Sequence, residues 1–139
     1  MTFYPHSADN EHVGFVVYPP LNAVPDFSTR KNWGIIYAKK SSFLRHHLET
    51  LKIISQFFDL HGNLADIEKT GEIDFEGVKI FNHGWQDPDD YEKLLHTAKI
   101  MVGLGFPYEG PTPIEAISNG LIFINPQFLR TKGRRPENK

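Results

Sequence analysis

A chain of 139 residues is about one domain's length, and a domain of that size buries roughly two-thirds of its unfolded surface, enough for one core. Hydrophobic residues at 40%, charged residues at 23% and aromatics at 13% exclude the disordered and fibrous classes. A net charge of −2 gives no global field for nucleic acid or an anionic membrane, so any anion site has to be built locally. The lack of cysteine removes disulfides, zinc-thiolate sites and thiol nucleophiles together and leaves the redox compartment open. No apolar run approaches the roughly 18 residues of a membrane span, and the N-terminus has no charged region followed by an apolar core, so neither a transmembrane helix nor a signal peptide is read and the chain as given is expected to be soluble.

In chain order, residues 1–12 are polar and mixed. The first strand is expected over 13–18, halted by Pro19 and Pro20, which cannot donate to a ladder. A proline-spaced loop leads to residues 33–39, Trp-Gly-Ile-Ile-Tyr-Ala-Lys, an almost continuously apolar run that predicts a strand covered on both faces in a parallel sheet. Ser41 and Ser42 offer an N-cap, and Leu44, Leu48, Leu51, Ile54 and Phe58 recur at helical spacing as far as His61-Gly62, which predicts one long amphipathic helix. Residues 63–77 read as loop with room for one short element, and a strand resumes over 78–81. Asp87 then caps a helix with Pro88 at its first position and further acids at its positive end, and Tyr91, Leu94, Leu95 and Ala98 form its buried face. A strand over 100–104, a loop over 106–111, a short helix over 113–119 and a strand over 121–125 complete an alternation of α/β type. Residues 1–129 are expected to be one partial domain and 130–139 a basic, frayed tail.

Ligands of open α/β sheets sit beyond the carboxyl ends of the strands. The informative turn is therefore Gly103-Leu-Gly-Phe-Pro-Tyr-Glu-Gly-Pro-Thr-Pro-Ile-Glu-Ala-Ile-Ser-Asn-Gly120. Glycines let the backbone approach a ligand without a Cβ in the way, and a helix starting at Pro113 would present free N–H groups and a positive dipole end to a diphosphate. The spacing Gly103-x-Gly105-x-x-Tyr108 is not the dinucleotide fingerprint, and no Gly-Lys-Ser/Thr follows, so neither NAD nor ATP is indicated. Thr112-Pro-Ile-Glu115 also reads as a capping box, which would explain both polar residues without any ligand. The two readings are compatible, because a first-turn carboxylate beside a nucleotide can still bind ribose with its free oxygen.

Other candidates have plainer readings. Asp87-Pro88-Asp89 has the Asp-x-Asp form of metal-dependent nucleotide sites, but its place at a helix start assigns it to capping. His46 and His47 are adjacent, point to different helix sides and read as solvated, so no metal is predicted. Tyr37, Phe43, Phe57 and Phe58 have core or helix-face spacing. No Gly-x-Ser-x-Gly elbow occurs.

The runs Val78-Lys-Ile-Phe-Asn-His-Gly84, Ala98-Lys-Ile-Met-Val-Gly103 and Glu109-Gly-Pro-Thr-Pro-Ile-Glu-Ala-Ile-Ser-Asn-Gly120 together resemble the nucleotide-binding half of GT-B glycosyltransferases. More narrowly, Val102-Gly-Leu-Gly-Phe-Pro-Tyr-Glu-Gly-Pro111, then Pro-x-Glu-Ala-x-x-Asn-Gly and Asn125-Pro, resemble the N-glycan-branching β-1,6-N-acetylglucosaminyltransferases. The resemblance extends to Gly14-Phe-Val-Val and Tyr37-Ala-Lys39. It implies a Rossmann-like parallel sheet flanked by helices, UDP-N-acetylglucosamine as donor without a metal, an α-1,6-linked mannose of an N-glycan as acceptor, and the Golgi lumen as location. It further implies that Glu115 takes the ribose hydroxyls, Gly110, Pro111 and Thr112 the diphosphate, Glu109 the sugar hydroxyls, that His83 and Gly84 lie beside the uracil, and that Lys39 faces the diphosphate. Two departures stand out. Glu109 and Glu115 are closer together than the glutamate pair of many GT-B enzymes, and Ala38 stands where a glycine is expected. The family's acceptor-binding half, with its general base, would precede this segment and further sequence would follow Asn125-Pro. The expectation is thus a fragment with no catalytic base, inactive and weakly donor-binding by itself. The alternative is a non-catalytic nucleotide-binding or interaction module of the same fold.

Overall fold

Strands as apolar as Trp33-Gly-Ile-Ile-Tyr37 and Ile100-Met-Val-Gly103 require cover on both faces. The computed structural model describes residues 23–104 and 110–125 and supplies that cover. In chain order the elements are β1 (Trp33–Tyr37), α1 (Ser42–Arg45), α2 (Leu48–Ile54), β2 (Asp59–Gly62), β3 (Gly71–Phe75), β4 (Val78–Asn82), α3 (Pro88–Thr97), β5 (Ile100–Gly103), α4 (Thr112–Ser118) and β6 (Ile122–Ile124). The strands form one sheet in the order β3-β4-β2-β1-β5-β6, parallel throughout except for the antiparallel β3–β4 pair. On one face Ile36, Leu60, Ile80 and Val102 pack on Leu44 of α1 and Leu51 of α2. On the other, Ile35 and Met101 pack on Leu94 and Leu95 of α3 and Ala116 of α4. Leu44 and Leu51 are wholly buried, so truncating either to alanine removes about 3 kcal/mol. The result is an α/β, Rossmann-like arrangement with a helix layer on each side.

The β3–β4 connection is a two-residue turn in which Glu76 and Gly77 both have positive φ, 51° and 84°, the twist-compatible hairpin geometry. Asp74 tightens it by accepting from the Gly77 N–H at 2.8 Å.

Several sequence expectations change here. The long helix predicted up to His61-Gly62 is two short helices, α1 and α2, ending at Ile54, and Asp59–Gly62 is a strand at the centre of the sheet. The apolar period continued past the helix because Phe58 leads into a strand whose Leu60 is also buried, and short apolar runs carry no decisive period. Ser41 occupies the N-cap of α1 without a side-chain cap bond; its N–H and hydroxyl instead donate to the Asp66 carboxylate at 2.9 Å each. Phe57 is not core but 69% exposed. The short element allowed within 63–77 is β3. Asp87 caps α3 as expected, accepting from the Asp90 N–H at 2.9 Å. The strand expected over 13–18, residue Glu109 and the tail 130–139 lie outside the described residues.

Candidate functional site

Chain order and strand order part company between β1 and β5. From β1 the chain builds outward through β2 to β4, then crosses to β5 and β6 on the other side. The connection after β1 therefore packs on one face and α4, after β5, on the opposite face, which makes the carboxyl ends of β1 and β5 the topological switch point, where ligands of such sheets bind.

Tyr37, the last residue of β1, stands at this switch point. Its hydroxyl interacts with the side chain of Thr112, and burial pushes its pKa up so that it stays a neutral O–H, with Thr112 and the Glu115 charge acting as smaller, opposed influences. A Cβ on Gly110 would stand 2.7 Å from the Tyr37 hydroxyl oxygen, closer than such contacts permit, so any larger residue there has to displace the tyrosine ring's far end. Tyr91 of α3 closes the group. Its pKa is pushed up by burial first and then by the Glu115 and Tyr37 charges. Glu115 is half-buried, and its carboxylate has no hydrogen-bond or ion-pair partner among the described residues.

The capping box does not form. Pro111, not Thr112, is the N-cap of α4, no side-chain cap bond is made, and Thr112 is the first helical residue. The helix thus starts one residue before the expected Pro113, because the Pro111 carbonyl already accepts from the Ile114 and Glu115 N–H groups at 2.9 Å each. That pairing, and the missing N–H of Pro113, reduce the expected row of free first-turn amides to that of Thr112.

Lys39, two residues beyond Tyr37, is exposed, and its ammonium has no partner among the described residues. His83 and Gly84 follow β4, two strands and so about 10 Å from β1. They are not in the Tyr37 cluster. His83 Nε2 stands 2.9 Å from His61 Nδ1, and its N–H donates to the Gly62 carbonyl at 2.8 Å. Gly84, with φ of 66°, is held by Asn63 Nδ2, which donates to its carbonyl at 3.0 Å.

Tyr37, read from the sequence at core or helix-face spacing, does pack against the second core cluster; sequence reasoning did not single out its hydroxyl, nor Asn82 or Arg30. Asn82 is wholly buried. Its Oδ1 accepts from Leu64 N–H at 2.9 Å and Gly84 N–H at 3.1 Å, while its Nδ2 donates to carbonyls of the 64–69 loop, the best at 3.0 Å from Lys69. A buried asparagine at a strand's carboxyl end holds both rim loops. Arg30 is buried and lies at the opposite edge. Neither carries a spacing motif that would have revealed it.

A model of the family described as glycosyltransferase family 18 matches residues 1–138. The α-1,6-mannosylglycoprotein 6-β-N-acetylglucosaminyltransferase A of Homo sapiens is 37% identical over 138 residues, which cover 96% of this chain and 18% of that protein. The Cricetulus griseus protein of the same name is 36% identical with the same coverage. The α-1,6-mannosylglycoprotein 6-β-N-acetylglucosaminyltransferase of Caenorhabditis elegans is 33% identical over 138 residues, 96% of this chain and 20% of that protein. The chain thus spans about a fifth of the length of these relatives.

Proposed function

Because this chain belongs to glycosyltransferase family 18, we propose that it is the donor-binding half of a GT-B enzyme that transfers N-acetylglucosamine from UDP-N-acetylglucosamine to an α-1,6-linked mannose of N-glycans in β-1,6 linkage. The observation that carries the reading is the Glu115 carboxylate. It is half-buried at the topological switch point and no group of the described protein uses it. A carboxylate that no protein group uses is available as an acceptor, and ribose hydroxyls are donors that match it.

In this reading Glu115 holds the ribose, Gly110, Pro111 and Thr112 line the diphosphate, Lys39 supplies the cation, Glu109 takes the sugar hydroxyls, and His83 with Gly84 borders the uracil. Transfer is a single inverting displacement. The acceptor hydroxyl, deprotonated by a carboxylate outside this chain, attacks the anomeric carbon as UDP leaves. Lys39 and the Thr112 N–H stabilise the charge that grows on the departing diphosphate, and no metal is required of this half. The domain comprises residues 1–129, and the working place of the whole enzyme is the Golgi lumen.

Calorimetric titration of UDP into the wild-type chain and the Glu115→Gln variant tests this. We expect an affinity loss of roughly tenfold or more with stability unchanged within about 0.5 kcal/mol. A variant that binds UDP as the wild type does would overturn the reading, whatever its stability.

A further inference from the structure

The rim of β2 and β4 contains a pair of histidines, of which the donor-site reading uses one. His61 is 5% exposed, with its ring 3.9 Å from that of Trp33 between centroids and 5.5 Å from that of Phe81. His61 Nδ1 and His83 Nε2 are 2.9 Å apart, and the two rings lie within 24° of parallel. The backbone of His83 is already pinned by the Gly62 carbonyl, and that of Gly84 by Asn82. The His83 ring also lies 4.9 Å from that of Phe81 between centroids, a contact that limits its tilt but leaves its tautomer open. Nδ1 of His83 has no partner among the described residues.

Burial keeps both rings neutral at pH 7. Desolvation first, and then the neighbouring His83, push His61 down to about 4, and burial lowers His83 as well. Two neutral imidazoles that share one hydrogen bond have coupled tautomers. If His83 receives a hydrogen at Nε2, its own sits on Nδ1; if it gives one from Nε2, Nδ1 is a bare acceptor.

We propose that His61 is a positioning residue: its bond to His83 fixes the plane and tautomer of that ring, and so decides whether His83 Nδ1 offers a hydrogen or a lone pair to the base edge of the nucleotide. The proposal rests on the reading of His83 as a base contact. His61 itself touches no ligand. The close, tilted contact with Trp33 holds His61, and His61 holds His83, a relay in which a buried ring sets the chemistry of a half-exposed one.

Nitrogen-15 NMR of the histidine rings in the whole chain, combined with UDP titration, tests it. In the wild type His83 shows one tautomer. His61→Phe keeps the contact with Trp33 but has no hydrogen-bonding atom, and is expected to give a mixture of His83 tautomers and UDP affinity lower by roughly five- to tenfold. His61→Asn, which restores a hydrogen-bonding atom near the position of Nδ1, recovers most of that loss. Two tautomers in the wild-type protein overturn the proposal, without dependence on any variant's folding. So does His61→Phe binding UDP with wild-type affinity while His83→Ala binds it more weakly. If His83→Ala also binds UDP like the wild type, the base-contact reading itself fails and takes the proposal with it, even where the tautomer is locked.

Discussion

At the amino edge of the sheet, Arg30 commits its guanidinium to protein carbonyls: those of Leu95 and Ala98 at 3.0 Å each, Asn119 at 2.6 Å and Pro25 at 3.2 Å. It thereby ties the ends of α3 and α4 to the segment before β1 and places a cation where both helix dipoles are negative. At the carboxyl edge, Glu115 and Lys39 commit their charges to nothing among the described residues. The same chain thus builds one polar cluster around a buried arginine and leaves two charges at the other edge without a partner among the described residues. Polar groups of the first kind are scaffold, because the Arg30 guanidinium finds its partners in carbonyls of the same chain. Those of the second kind are the groups on which the proposed donor site draws.

The contrast is sharpest under substitution. Arg30→Ala strands several buried carbonyls and is expected to cost about 3 kcal/mol or more in urea unfolding, while the protein that remains folded binds UDP as before; loss of less than about 1 kcal/mol would break the scaffold reading. The second-largest effect is on pH. An unfolded histidine takes up a proton below about 6.5, whereas folded His61 does so only below about 4. Between these values the unfolded state binds more protons, so stability is full above the upper one and falls on acidification, by on the order of 2 kcal/mol across the window. His83, also lowered, adds to the fall with the same sign. Urea unfolding at pH 7 and pH 5 should show it, and His61→Phe should flatten it.

Smaller effects separate the open cluster from the scaffold. Gly110→Ala brings a methyl within 2.7 Å of the Tyr37 hydroxyl and should cost about 1 kcal/mol of stability together with UDP affinity. Tyr37→Phe in that background should restore part of both, measured as a double-mutant cycle. Additive effects would show that the hydroxyl is not what Gly110 accommodates. Smallest is Lys39→Met. It is expected to leave stability within about 0.5 kcal/mol and to weaken UDP severalfold in low salt, an effect that shrinks as ionic strength rises.

Much of the fold was legible because its signals are local. The Asp87-Pro88 start of α3 is cap chemistry within four residues, and β1 and β5 declare themselves by continuous apolarity. The break after Ile54 and the strand Asp59–Gly62 were not legible: Leu60 is buried by β1 and β4, which lie far from it in sequence, and no local period marks that pairing. At the site, Glu115 and Gly110 could be picked out by motif and resemblance, while Tyr37 could not. Its hydroxyl matters because of a residue about seventy positions away, and a tyrosine at the end of an apolar strand looks like core.

By itself the sequence determined the α/β alternation, the capped third helix, the glycine- and proline-rich turn after β5 and, through its motifs, the family. These depend on residues close together in the chain or on a pattern of residue types. The tertiary structure decided that Thr112 and Glu115 do not cap a helix, that Tyr37 closes on Gly110, and that His61 and His83 share a hydrogen bond. The first follows from the Pro111 carbonyl accepting within α4 itself; the other two depend on strands brought side by side by the sheet order, which no local spacing encodes.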